Sequence, residues 1–357
     1  MNGPIMIVAG GTGGHVYPGI AVAEVLRAQG RELCWMGTRR GVEAQVVPAA
    51  GLPFLTIPVS GLRRTGLLRW LAAPVMVMAA VACAVLHIAR VRPALVLGMG
   101  GFVSGPGGVA AWLCRRPLVI HEQNAIAGLT NRLLARIARR VLEAFPGTFP
   151  AAVSAVETGN PVRAAISELV PTSPSEARGT RVLVFGGSRG ARALNELVPR
   201  ALAASKVSGL RVRHQCGIAD VEATRARYAE LGIDDVVVQA YIDDMPAAYA
   251  EAELVISRAG ATSIAEIAAC GVAAVLVPYP YAVDDHQTAN ARFLSDHDGA
   301  VLAPEETIAG PAFAETIAGL LRDPARRARL AANARGMARP RAATEVARIC
   351  LEVASAG

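Results

Sequence analysis

Residues 7–14, Ile-Val-Ala-Gly-Gly-Thr-Gly-Gly, and residues 182–190, Val-Leu-Val-Phe-Gly-Gly-Ser-Arg-Gly, decide the fold. Each is a short apolar run that ends in a glycine-rich turn and continues into a helical pattern. The two lie about half a chain apart. Further apolar runs recur around them, at 94–97, 118–120, 141–145, 236–240, 253–256 and 273–277. Between most of them the apolar positions have helical spacing, as in Ile20, Val22, Val25 and Leu26 before Gly30. Continuous apolar strands alternating with helices predict parallel sheets covered on both faces. Because the pattern restarts at residue 182, the expected fold is α/β, with two doubly wound, Rossmann-like domains facing a cleft. The first is expected over 1–161, with a C-terminal helix at about 341–357 packing back onto it after Pro340. The second is expected over 162–340. Residues 157–163 and 171–179 are expected to be connection and loop rather than sheet.

The chain has 357 residues, enough for two domains with cores of their own. Hydrophobic residues make up 53%, charged residues 18% and mean hydropathy is +0.37, which excludes a disordered chain. A net charge of +7 favours anionic partners, whether nucleic acid, phosphorylated substrates or acidic lipid, and the 4% aromatic content weakens base-stacking recognition of single strands. The six cysteines are scattered without a C-x-x-C pair, so neither a zinc site nor a disulfide framework is expected, and a reducing cytoplasm fits. No secretory signal is expected at the N-terminus. Residues 70–89 carry no charge and are long enough to span a bilayer. Seven alanines, Pro74 and His87 make them a poor span, and crossing would divide the first sheet, so a buried or membrane-surface helix is expected.

The loop Gly10-Gly11-Thr12-Gly13-Gly14-His15 is followed by Tyr17 and Pro18 at a helix start. Glycines let backbone N–H groups approach a ligand, and a helix N-terminus favours anions. No G-K-[ST] follows and no strict G-x-G-x-x-G is present, so ATP hydrolysis and ordinary dinucleotide binding lose ground. The glycines alone leave a tight turn equally open. His15 favours chemistry, since an imidazole can take a proton from a hydroxyl nucleophile. Residues 98–106, with Gly100 and Gly101, form a second loop that permits close backbone approach or merely packs two turns together. His121-Glu122-Gln123-Asn124 ends the next strand, where four polar side chains in a row are costly unless used. Asn124 suits a sugar hydroxyl or a helix cap, and Glu122 suits orienting its neighbours.

In the second half, Gly186-Gly187-Ser188-Arg189-Gly190 suits a phosphate, and Arg163 suits a guanidinium clamp on a diphosphate or is merely solvated. The helix after residues 257–263 bears Glu266, a carboxylate suited to ribose hydroxyls or simply to a helix start. Asp284 and Asp285 are read as a solvated helix-start cluster rather than metal ligands. Leu67, Leu68, Trp70, Leu71, Val75 and Met78 follow Arg63 and Arg64, with Arg69 among them. Arg132, Arg136, Arg139 and Arg140 are spaced for one helical face, a basic stripe that suits a solvated face or an anionic membrane surface, just as the apolar stretch suits a core or a membrane contact.

The ordered set GGTGGH, GLRR, GMGGFVSGP, HEQNAIAGLTN, GNPVR, FGGSRGA, YIDDM, SRAGATSIAE and DDHQTANA resembles the MurG family of glycosyltransferases over nearly the whole chain. The resemblance implies a GT-B fold and transfer of N-acetylglucosamine from its uridine diphosphate (UDP) donor to lipid I, undecaprenyl-pyrophosphoryl-N-acetylmuramoyl-pentapeptide, giving lipid II. It implies inversion, no cofactor, no essential metal and no nucleic acid as a partner. It also implies a peripheral location on the cytoplasmic face of the inner membrane, with cell-wall synthesis proteins as partners. Carried over by motif, His15 is the base. Thr12, Gly13, Gly14, Asn124, Arg163 and Ser188 are donor contacts in this resemblance, as are Ile242, Ala261, Thr262, Ser263, Ile264, Ala265, Glu266 and Gln287. Gly100, Gly101, Glu122 and Asn290 are further candidate donor or acceptor contacts, and Leu68, Leu71, Val75 and Met78 associate with the membrane. Members often carry Leu-Thr-Val-Ser-Glu at 262–266, so the resemblance bears on backbone contacts there more than on side chains. Spacing before residue 287 varies, which leaves His286 open beside Gln287. Rivals on the residues are a glycolipid transferase, a sugar-nucleotide 2-epimerase and a non-catalytic sugar-nucleotide sensor.

Overall fold

The computed structural model describes residues 3–59, 67–169, 180–187 and 190–356, with residues 67–72 as backbone alone. The chain divides into two compact units, Met1–Arg163 with Arg341–Gly357, and Ala164–Pro340.

The first unit is built on β1 (Ile5–Val8), β2 (Leu33–Gly37), β3 (Phe54–Thr56), β4 (Leu95–Gly98), β5 (Leu118–Glu122), β6 (Arg140–Glu143) and β7 (Val156–Glu157). Their order is β3-β2-β1-β4-β5-β6-β7, with every neighbouring pair parallel. Its helices are α1 (Gly13–Ala28), α2 (Glu43–Ala49), α3 (Leu67–Val91), α4 (Ser104–Leu113) and α5 (Leu129–Leu134). In the second unit α6 (Ala164–Ser167) precedes β8 (Arg181–Phe185), α7 (Arg192–Ala204), β9 (Arg211–Gln215), α8 (Val221–Glu230), β10 (Val236–Gln239) and α9 (Met245–Glu251). Then come β11 (Leu254–Ser257), α10 (Ala261–Cys270), β12 (Ala273–Leu276), α11 (His286–Ser295), β13 (Val301–Leu302), α12 (Pro311–Arg322) and α13 (Pro324–Gly336). Its parallel order, β10-β9-β8-β11-β12-β13, repeats the first six places of the other sheet. The last helix, α14 (Ala342–Ser355), belongs to the first unit.

The central strands are apolar on both sides because helices cover both faces. Ile5, Ile7, Trp35, Leu95 and Leu97 join one core with α1 and with Val346, Ile349, Cys350 and Val353 of α14. Met6, Val8, Cys34, Met36 and Val96 join the other, with Ala80, Ala84 and Ile88 of α3 and Ala110 and Ala111 of α4. Adjacent strand residues thus point to opposite cores, as the period of two requires.

Several sequence expectations need correction. Strands β2, β3, β9 and β13 were not among the apolar runs: β2 (Leu-Cys-Trp-Met-Gly) has no β-branched residue, and β9 (Arg-Val-Arg-His-Gln) is polar at alternate positions. Val156–Glu157 is an edge strand, so Glu157 belongs to sheet and not to connection. Residues 171–179 lie outside the described residues. The basic stripe is not one helical face: α5 ends at Leu134, Arg136 sits in the turn beyond it and Arg140 opens β6. The turn is closed by Ile137 and Ala138 N–H on Leu134 O.

Residues Ala73–Val91 of α3 are long and apolar enough to cross a membrane by length and composition, with mean hydropathy 2.0. Within them Ala73, Ala80, Ala84 and Ile88 form one buried face, while Val75, Met78 and Leu86 are about two-thirds exposed, at 66%, 67% and 70%. The strands on either side of α3, β3 and β4, lie in one sheet and α3 packs on α4, so a crossing would tear that sheet apart.

Candidate functional site

In the first unit, β1 and β4 are neighbours from which the strand order runs in opposite directions, the switch point where doubly wound sheets bind ligands at their carboxyl ends. Both glycine-rich loops leave from there. Gly101 has φ +78°, and a Cβ on it would stand 2.1 Å from Gly10 O, so only glycine lets the loops touch. Ser104 Oγ reaches both Val8 O (2.9 Å) and Gly100 O (2.7 Å), tying the second loop to β1. The first loop rests on Glu43, fully buried, whose Oε2 accepts Gly11 N–H (3.0 Å) while Oε1 accepts Thr38 N–H (3.0 Å) and Thr38 Oγ1–H (2.7 Å). Three hydrogen bonds offset the cost of burying that carboxylate. Sequence reasoning missed Glu43 because its partners lie 5 and 32 residues away and no motif links them.

Helix α1 starts at Gly13 with Thr12 as its cap residue, earlier than Tyr17 and Pro18, which lie inside it. The first-turn amides of Gly13, Gly14 and His15 therefore stand at a helix N-terminus. His15 Nδ1 is 2.8 Å from Gln123 Oε1, and Gln123 Nε2 is 3.0 Å from His121 Nδ1. His121 is fully buried, and desolvation pushes its pKa down to about 4, so the ring is neutral at physiological pH. Gly100, with φ +94°, leaves room here: a Cβ would stand 2.5 Å from His15 Nδ1.

Glu122 is buried at the end of β5 and gathers its neighbours. Oε1 accepts from Asn124 N–H and Nδ2 (both 3.1 Å), and Oε2 from Gly128 N–H (3.1 Å) and Asn131 Nδ2 (2.9 Å). Asn124 does not cap the next helix, whose cap residue is Gly128. Arg163, the last residue before the second unit, lies over the Tyr17 ring at 4.8 Å, a cation–π contact that orients its guanidinium.

In the second unit, Ser188 lies outside the described residues. Gly190 (φ +70°) follows, packed so that a Cβ would meet Cys216 O at 2.1 Å, and α7 opens only at Arg192. Helix α10 starts at Ala261 after Gly260, which places the first amides of the Ala261–Glu266 run at a helix N-terminus. Thr262, Ser263 and Ala265 are half-buried, Ile264 points into the core with its N–H on Gly260 O, and Glu266 is buried with Oε2 accepting from Tyr249 OH (3.1 Å). Ile242 is half-buried just before α9.

Gln287, in the first turn of α11, accepts Tyr279 N–H on Oε1 (2.9 Å), while His286 Nδ1 is 2.7 Å from Val283 O. Asp285 is the cap residue of α11 and accepts from Thr288 Oγ1 (2.7 Å). Asn290 is fully buried and donates to Ala259 O (3.2 Å), so it braces the loop before α10. Arg258, to which no role was assigned from sequence, donates to Val277 O and Pro278 O, pairs with Glu305 and lies over the Tyr279 ring. It braces the segment that leads to Gln287. Among the described residues no group of three His, Cys, Asp or Glu could hold a metal ion.

Residues 5–143 match the glycosyltransferase family 28 N-terminal domain and residues 181–346 its C-terminal domain. The chain is 52% identical to the UDP-N-acetylglucosamine–N-acetylmuramyl-(pentapeptide) pyrophosphoryl-undecaprenol N-acetylglucosamine transferase of Alkalilimnicola ehrlichii, over 99% of this chain and all of that one. It is 51% identical to the protein of the same name from Nitrosococcus oceani, over 98% and 99%. The crystal structure of Acinetobacter baumannii MurG superimposes with a TM-score of 0.79 at 38% identity, over 98% and 99% of the two chains.

Proposed function

The chain belongs to glycosyltransferase family 28, and from that premise we propose how its residues perform the transfer. It is a GT-B hexosyltransferase that moves N-acetylglucosamine from UDP-N-acetylglucosamine to lipid I, giving lipid II for peptidoglycan synthesis. The observation that carries the activity is half-identity over the full length to named transferases, in a chain that has each of the family's loops in order.

His15 takes the proton of the muramoyl 4-hydroxyl. The oxygen attacks the anomeric carbon from the face opposite UDP, the carbon–oxygen bond to the diphosphate breaks, and UDP leaves with the electron pair. Inversion to a β-linkage follows. The position of His15 at the switch point, hydrogen-bonded on one ring nitrogen, supports its role as base. Donor binding falls to the N-terminal amides of α10, with Glu266 on the ribose hydroxyls and Gln287 on the sugar. The leaving diphosphate is stabilised by Arg163, Ser188 and helix N-termini, so no divalent ion is required. Thr12, Gly13, Gly14 and Asn124 complete the donor contacts, and the rest of the first unit receives the acceptor.

The enzyme acts from the cytoplasmic face of the inner membrane as a peripheral protein. Exposed Val75, Met78 and Leu86 of α3, Trp112 and Leu113 of α4, and Leu129 and Leu133 of α5 support this, because the three helices pack in succession and apolar exposure on this scale marks a contact surface. The side chains of Leu68 and Leu71, and the whole of Arg63 and Arg64, lie outside what is described.

Incubation with labelled UDP-N-acetylglucosamine and a short-chain lipid I analogue tests the activity. A β-linked disaccharide lipid is the expected product, and UDP release without it would overturn the assignment.

A further inference from the structure

Gln123 touches no substrate in this mechanism, yet carbonyl groups fix its polarity. Its Nε2 lies 3.2 Å from His121 O, and a carbonyl only accepts, so this end of the amide is the NH₂ group. The other end, 2.8 Å from His15 Nδ1, is then the oxygen, which also only accepts. His15 must carry its hydrogen on Nδ1, and a neutral imidazole has only one, so Nε2 keeps its lone pair. The far end of the chain gives the same direction. His121 Nε2 is 3.0 Å from Gly159 O and must donate, which leaves His121 Nδ1 to accept from Gln123 Nε2. His121 and Gln123 are at most 1% exposed, so water cannot scramble the order. Gly100 lies against the His15–Gln123 bond, where a Cβ would be 3.0 Å from Gln123 Oε1.

We propose that Gln123, backed by His121 and Gly159 O, is a positioning residue that locks His15 in the Nδ1–H tautomer and so presents Nε2 as the base; the proposal rests on the assignment of His15 as base. During turnover the hydroxyl proton moves to Nε2, and the resulting imidazolium keeps its Nδ1–H on Gln123 Oε1. Water removes the Nε2 proton after UDP leaves.

Nitrogen-15 NMR of histidine-labelled enzyme at neutral pH, with the His15 signals identified by their loss in His15→Ala, reads the tautomer directly. The expected spectrum has Nδ1 protonated and Nε2 bare. In Gln123→Leu, His15 should become a mixture of tautomers and kcat should fall about 10- to 100-fold, as for other second-layer partners of catalytic groups, with the Kd of UDP-N-acetylglucosamine unchanged. Gln123→Glu, buried as the neutral acid, keeps an oxygen to accept His15 Nδ1–H and a hydroxyl to donate to His121, and should restore the single tautomer and part of kcat. A wild-type His15 protonated on Nε2, or a Gln123→Leu enzyme with an unchanged tautomer, overturns the proposal. If Gln123→Leu does not fold, the wild-type and Gln123→Glu spectra decide. Should His15→Ala keep full turnover while the tautomer is as expected, the base assignment fails and the lock stands.

Discussion

Replacing His15 by Ala should lower turnover by about 10²- to 10⁴-fold, the range for a lost general base. Donor affinity, read by calorimetry, should not change, because the ring is assigned to the acceptor hydroxyl; full turnover in a folded variant would remove that assignment. Glu266→Ala should do the reverse, weakening UDP and UDP-N-acetylglucosamine alike by roughly 1–3 kcal/mol, since its carboxylate is assigned to the ribose. Equal affinities in the two proteins would take Glu266 out of the donor site. Both residues stood out in the sequence because they end motifs: His15 closes GGTGGH and Glu266 closes SRAGATSIAE. Glu43 and Arg258 did not, and Gln123 was marked only as one of four polar residues in a row with no role of its own. Their partners lie far along the chain, 108 residues away for Gln123 and His15, 32 for Glu43 and Gly11, and 47 for Arg258 and Glu305. Only the folded chain pairs them.

At the level of elements, legibility followed hydrophobic content. Strand β8 was marked by its apolar run, whereas β9 was hidden: its inward positions include His214 and Gln215, buried on hydrogen bonds rather than by apolarity. A last helix was expected after Pro340, and Val346, Ile349, Cys350 and Val353 of α14 join the first core. The arginines after Asn131 misled because their spacing matches a helix that in fact stops at Leu134. They remain exposed, as do Trp112 and Leu113 of α4 and Leu129 and Leu133 of α5, and a unit that offers both basic and apolar side chains suits an anionic membrane surface. Binding to anionic vesicles, measured by flotation, should therefore weaken with salt, at about 1 kcal/mol per basic residue close to the surface. Met78→Glu or Val75→Glu should weaken it further, because each puts a charge on an exposed apolar position, while UDP affinity persists. Equal binding to neutral and anionic vesicles at low and high salt would refute the electrostatic part, and full binding by both variants would refute the α3 surface.

On the scale of the whole molecule, the doubling was the most legible feature, since two glycine-rich turns after apolar strands announced two parallel sheets; that the sheets share one strand order came from the folded chain. Each sheet also buries one neutral histidine, which the sequence could not disclose because burial of a polar ring depends on distant partners. His121 in the first unit has its pKa lowered to about 4, and His214 in the second to about 3, each chiefly by desolvation, with Arg227 adding to the effect at His214. The unfolded chain takes up these protons near pH 6.5 and the folded chain does not. Stability from each ring is thus fully present above about pH 6.5 and is lost as pH falls toward the folded value, by roughly 3 kcal/mol for His121 and roughly 5 kcal/mol for His214. Between pH 6.5 and 5, where carboxylates contribute little, each should add a slope that rises from about half of 1.4 kcal/mol per pH unit toward about 1.4. Trp35, Trp70 and Trp112, the only tryptophans, all belong to the first unit, so their emission in urea titrations follows the unit of His121 alone, and circular dichroism follows both. A flat emission-detected stability over that range would mean that His121 is charged in the folded chain. Its Nδ1 would then carry a hydrogen, Gln123 would lose the acceptor for its NH₂ group, and the orientation that reaches His15 would lose its support from that side.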